Sequence, residues 1–133
     1  MTHLSISQFA QKLHVIDSAD FKRFAELSGD WNPIHTDPEF ASATPFKAVI
    51  APGLLIGAYI SALIANELPG KGSIYLSQSL RFLKPVYHAD EILVIVKVIE
   101  LPRPGICLLD TTCLRSHDVV LSGEAKVKFS EPQ

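Results

Sequence analysis

"GLLIGAYISALIAN", residues 53–66, decides the fold. Its apolar residues fall on almost every side of a helical wheel. A helix with no polar face to give to water belongs in a core, wrapped by something else. A membrane does not supply the wrapping. The longest apolar run, Ala48–Ala65, is broken by Pro52, two glycines and Ser61. It falls short of the ~20 unbroken apolar residues a spanning helix needs. Leu68-Pro69-Gly70 then ends the helix.

The C-terminal half of the chain can do the wrapping. Ser73–Val86 reads as a strand, with Ile74, Leu76, Leu80 and Phe82 on one face and Gln78 interrupting them. Glu91–Glu100 is apolar on both faces for most of its length, which suits an interior strand. Ile106–Arg115 comes next. In Val119–Phe129, Val119, Leu121, Ala125, Val127 and Phe129 alternate with Ser122, Glu124, Lys126 and Lys128.

Upstream, a short strand is expected over Lys12–Ile16. Asp17 or Ser18 caps a helix over Ala19–Ser28, with Phe21, Phe24 and Ala25 on one face and Gly29 as its stop. Trp31–Pro52 reads as irregular, except that Thr36–Glu39 forms a capping-box pattern with Pro38 in the first turn. That predicts a two-turn helix over Asp37–Ala43.

Helices first and an antiparallel meander last imply an α+β domain of about five strands curled around one buried helix, the arrangement called a hot-dog fold. The 133 residues, 47% of them hydrophobic, suit a single domain spanning 1–133. A sheet this small leaves edges and part of the helix uncovered, so a homodimer is expected. The net charge of −2 gives no basic surface for nucleic acid or an anionic membrane. Met1–Lys12 is mixed and polar, unlike a secretory signal. Cys107 and Cys113 share one strand, too far apart along extended chain for a mutual disulfide. Two thiols without a leader suggest the cytoplasm.

Residues 29–35, "GDWNPIH", place Asp30 and His35 around an Asn-Pro turn. Two readings stand side by side. Gly, Asp, Asn and Pro are ordinary turn residues. An acid and an imidazole this close are also the makings of acid–base chemistry. The helix start at Pro52-Gly53 offers N–H groups of partial positive charge, and Gly53 lets a ligand approach them. Gly53, Gly57 and Ser61 share one stripe. It either leaves room for a slim ligand or lets the helix pack close to the sheet. Gln78, an amide among apolar neighbours, needs partners, and a polar site is one source. The remaining histidines are scattered, and no cluster at ligand spacing suggests a metal.

Phe24, Leu27-Ser28-Gly29-Asp30, Asn32-Pro33-Ile34-His35 and Ala41 match the hydratase-2 motif. The chain thereby resembles the MaoC-like, (R)-specific enoyl-CoA hydratases, and Leu68–Ile92 also looks like their strand region. The resemblance runs from about Phe21 to Phe129. It implies that Asp30 and His35 are catalytic, that the Gly53 N–H binds the thioester oxygen, that Ser61 lines the substrate site and that Asn32 holds the loop. No cofactor is implied. The partner is an acyl-CoA or acyl-ACP thioester, its acyl chain running past Tyr59 and Ile64 and its phosphates near Lys71, Arg81 and Lys84. The implied reaction is hydration of a trans-2-enoyl-CoA to the (3R)-hydroxyacyl-CoA, and the reverse. Alternatives are a (3R)-hydroxyacyl-ACP dehydratase, or a non-catalytic acyl-thioester-binding or partner subunit; hot-dog thioesterases typically lack the Gly-Asp-x-Asn-Pro-x-His string. Two positions depart from the relatives. Pro52 stands where many have His, and His88-Ala89-Asp90 stands where they often read Gly-Asp, a turn expected to have no catalytic consequence.

Overall fold

The computed structural model describes residues 3–130. The elements run β1 (Phe9–Val15), α1 (Ala19–Ser28), α2 (Pro33–Thr36), α3 (Pro38–Ser42), α4 (Gly53–Asn66), β2 (Ile74–Gln78), β3 (Arg81–Phe82), β4 (Glu91–Arg103), β5 (Ile106–Arg115) and β6 (Asp118–Lys128). One antiparallel sheet has the order β1-β4-β5-β6-β2, with β3 also paired to β6. It holds six strands because the stretch expected as one strand over Ser73–Val86 divides in two.

The core lies between α4 and one face of the sheet. Period-2 alternation puts Ile92, Val94, Val96 and Val98 of β4 on that face, and Cys107, Leu109 and Cys113 of β5 beside them, all essentially inaccessible. Ile56, Ile60, Leu63 and Ile64 of α4 meet them. Burying each such side chain is worth about 1.5–3 kcal/mol. The opposite side of α4 stays open, and Leu54 is 62% exposed. The helix that reads as apolar all round is therefore wrapped on one side only within this chain. Both cysteines are free and buried. Burial pushes the Cys107 thiol up to about 11 and Cys113 to about 12, so neither supplies a thiolate near neutral pH.

Three expected details are corrected. The capping box at Thr36–Glu39 does not form: Thr36 ends α2, and Asp37 caps α3 through Oδ1, which accepts from the Glu39 and Phe40 N–H groups. In β6 the buried residue is Val120, while Val119 is 36% exposed. A bulge opposite Cys113/Leu114 inserts one residue and flips the alternation.

The third correction is the division of β2 from β3. A Cβ at Gly123 of β6 would overlap the Ser79 carbonyl. Glycine there lets the chain settle directly onto the sheet. Ser79 N–H donates to Glu124 O at 2.9 Å, and Glu124 N–H donates to Ser79 Oγ at 3.0 Å. Pinned at this point, the β2–β3 arm runs along α4. Leu80 packs against Gly57, with its Cδ1 at 3.2 Å from where a Cβ would stand, and the Phe82 ring lies over Gly53. The glycine stripe serves close packing at both positions.

Candidate active site

Local hydrogen bonds build the loop after α1 residue by residue. Gly29 takes φ +83° and ends the helix, its N–H returning to Ala25 O at 2.8 Å. Ser28 Oγ donates to Phe24 O and accepts from the Asp30 N–H at 3.1 Å. Asp30 Oδ1 accepts from the Asn32 N–H at 3.2 Å, and Asn32 Oδ1 accepts from the Ile34 N–H at 3.2 Å, capping α2. Pro33 is the first residue of that short helix, where a missing N–H costs nothing. His35 sits two residues further along the same turn.

His35 Nδ1 lies 2.8 Å from the Ile50 carbonyl. A carbonyl only accepts, so Nδ1 carries the proton and Nε2 is left as the acceptor of the neutral ring. Nε2 makes no hydrogen bond among the described residues, and neither does the second carboxylate oxygen of Asp30. Both side chains line one cavity of about 530 Å³. That volume suits a small-molecule ligand. Its walls are mostly apolar, with Phe24, Phe46, Phe82, Val86 and Leu121 among them. Gly53, first residue of α4 after Pro52 as N-cap, lines the cavity too, and its N–H has no acceptor among the described residues. An acid, an imidazole and a helix N-terminus thus face one largely apolar space.

Other expected contacts lie elsewhere. Ser61 and Ile64 are not in this cavity, and Ser61 stands about 12 Å along α4 from Gly53. Tyr59 stacks on His14, ring centroids 4.1 Å apart, in a separate cleft beside β1. Of the three basic residues, Lys84 lines the cavity and is paired with Asp118 at 3.1 Å; Lys71 and Arg81 do not line it. Gln78 finds its partners away from the cavity. Its Nε2 donates to Ser79 O at 2.8 Å and Thr111 Oγ1 at 2.9 Å, and its Oε1 accepts from Tyr75 Oη. No group of side chains suited to a metal ion is found among the described residues.

Fold and cavity together define a hot-dog domain with an Asp- and His-bearing loop beside the head of its central helix. The comparison with known proteins makes this specific. Residues 6–103 match the MaoC-like domain, and the chain belongs to that family. It is 46% identical to a 3-hydroxybutyryl-CoA dehydratase of Methylorubrum extorquens over 89% of this chain and 76% of the relative. It is 38% identical to a mitochondrial 3-hydroxyacyl-[acyl-carrier-protein] dehydratase of Arabidopsis thaliana over 93% and 76%. The solved (R)-hydratase from A. caviae involved in PHA biosynthesis superposes with a TM-score of 0.91 at 40% identity, covering 95% of this chain and 97% of that one.

Proposed function

We propose that the protein hydrates trans-2-enoyl-CoA to (3R)-hydroxyacyl-CoA and runs the reverse dehydration. The observation that carries this is the convergence of Asp30, His35 and the Gly53 N–H on one largely apolar cavity. The relatives named as hydratase and dehydratase support it. Asp30 and the Nε2 of His35 hold one water between them. One takes its proton as oxygen adds to C3, and the pair returns a proton to C2. The π electrons pass meanwhile to the thioester oxygen. The Gly53 N–H at the helix N-terminus stabilises that developing charge, and one such donor is worth about 3–4 kcal/mol. Asn32 keeps the loop in shape through its cap on α2. Lys84 is the basic residue best placed for a carrier phosphate.

The working unit is a homodimer in the cytoplasm. The uncovered side of α4 and the exposed Ile74, Leu76, Phe82 and Leu83 support a second copy against this face. Ser61, on α4 but outside the cavity, lines the substrate site once two copies assemble. No helix among the described residues is long and apolar enough to cross a membrane.

Crotonyl-CoA is the test substrate. Enoyl absorbance falls as the purified protein is added, and chiral analysis gives the (R) product. The (S) product, thioester cleavage, or no reaction at all rejects the reading, the last in favour of a non-catalytic binder. The Arabidopsis relative supports a second carrier. Crotonyl-ACP turned over with a much higher kcat/KM than crotonyl-CoA makes the protein an ACP dehydratase.

A further inference from the structure

His35 takes its orientation from a carbonyl outside every helix and long strand. Ile50 forms an isolated antiparallel bridge with Tyr87. The bond that closes this bridge runs from the Ala51 N–H to Val86 O at 2.8 Å. Ile50 and Tyr87 are therefore a non-hydrogen-bonded pair, and the backbone groups of Ile50 point away from its partner. Its N–H reaches Ile34 O at 3.1 Å, and its carbonyl receives the His35 Nδ1–H. The place of that carbonyl thus depends on where residues 85–87 lie.

Two side chains fix residues 85–87 from behind. Asp90 Oδ2 accepts from the Tyr87 N–H at 2.9 Å and from Arg115 Nη1 at 2.8 Å. The same Nη1 donates to Pro85 O at 2.7 Å. Arg115 and Asp90 are only 27% and 21% exposed, so the pair is shielded enough to hold its geometry. Arg115 is the last residue of β5, and Asp90 stands in the turn just before β4. Neither lines the cavity.

We propose that Arg115 and Asp90 are positioning residues for His35. They clamp Pro85 and Tyr87, the clamp sets the Ile50 carbonyl, and the carbonyl selects the imidazole tautomer that leaves Nε2 towards the cavity. The turn at His88-Ala89-Asp90 therefore bears on catalysis through its acid. For its rate readout this rests on the hydratase reading, but the state of the imidazole does not.

The test pairs kinetics with ¹⁵N spectroscopy of the histidine rings at pH 8, where a neutral imidazole reports its tautomer. In the wild-type protein His35 shows a protonated Nδ1 and an unprotonated Nε2. In Arg115→Met both signals move towards a tautomer average. On crotonyl-CoA, kcat falls on the order of 10- to 100-fold with KM within about twofold, the size expected when a catalytic group is misplaced by a fraction of an ångström to an ångström. Arg115→Lys restores part of both readouts. Asp90→Asn, which keeps an oxygen for the Tyr87 N–H, moves them the same way by less, and serves if Arg115→Met does not fold. Thr111→Val, a core change on the same strand, lowers the melting temperature without moving the His35 signals. Unchanged His35 signals in folded Arg115→Met or Asp90→Asn overturn the proposal, as do signals that shift equally in Thr111→Val. A wild-type protein inactive on enoyl thioesters overturns the hydratase reading instead, and the ring signals still decide this one.

Discussion

Two polar clusters sit on the same scaffold and differ in one respect. Around Gln78, the side-chain amide is used up inside the fold: Tyr75, Thr111 and Ser79 O satisfy it, and Thr111 is wholly buried. Around Asp30 and His35, each side chain uses one atom to hold itself and keeps another uncommitted beside the cavity. The first cluster specifies where strands meet, since the amide ties β2 to Thr111 of β5 and to the Ser79 carbonyl. The second has capacity left for a ligand. A polar residue in an apolar setting is thus informative less by its type than by its unused valences.

The widest separation between the clusters is expected from Asp30→Asn. Asparagine keeps the shape and the turn bond but cannot take a proton from water. Hydration should fall by roughly 10²–10⁴-fold with an unchanged melting curve. His35→Ala should cost a similar factor, and the double variant little more than the worse single one, because groups acting on one water are not additive. Near-wild-type turnover in Asp30→Asn would place this loop with the Gln78 cluster.

Gly53→Ala should have the next largest effect. Its Cβ would overlap the Phe82 ring, which is 55% exposed and able to swing aside. Overpacking costs about 1–3 kcal/mol in a closed core, and this open site should sit at the low end. Turnover should drop by about tenfold as the helix N-terminus shifts. Adding Phe82→Ala should recover most of the stability. If it does not, the strain lies in the helix backbone and not in the ring contact.

Thr111→Val inverts the first experiment. It deprives Gln78 Nε2 of one of two acceptors, so stability should fall by about 1–3 kcal/mol in a denaturant titration. Turnover should stay within about twofold. A larger kinetic loss would join the two clusters into one functional unit.

The smallest effect concerns His14. Burial first, and then the Lys12 charge, hold its imidazole below the usual histidine value of 6.5. In the pH window just below that value the unfolded chain binds the proton and the folded one does not. Stability should therefore rise with pH through this window and be lost as pH falls. His14→Gln should flatten that part of a melting-temperature profile from pH 5 to 8. An equal slope in both proteins would assign it to other groups.

The parts of the fold legible in the sequence are those with local punctuation. Gly29 stops α1 and Pro52 starts α4, and both helices have the expected bounds. β5 also matches, because its neighbours are Gly105 on one side and the Ser116-His117 turn on the other. β1 begins at Phe9, three residues before the expected start, because its pairing with β4 runs on through Phe9↔Lys97, a register that the β1 sequence alone does not encode. The division between β2 and β3 is hidden because its cause, Gly123, lies more than forty residues downstream. The bulge that buries Val120 depends on register with β5, which no local pattern encodes. α2 falls in a stretch that reads as irregular, although Asn32-Pro33 is a start signal for a short helix.

The candidate site divides along the same line. Asp30, His35 and Gly53 carry side-chain or glycine signals, and the structure brings them to one cavity. The Ile50 carbonyl that orients His35 has no residue-type signature, since any residue supplies one. Position on the helix is all that points to Tyr59 and Ile64 as walls of an acyl path. Ile64 instead faces the core and Tyr59 the β1 cleft.

The arm from Ile74 to Phe82 is anchored near its middle, where Ser79 rests on Gly123. For protein engineering this makes it an exchangeable cassette. Its backbone path is set by that one contact and the β6 pairing, while Leu80 and Phe82 project onto α4 at Gly57 and Gly53. A library varying residue size at 80 and 82, with Ser79 and Gly123 held constant, would resculpt the space beside the helix without rethreading the sheet.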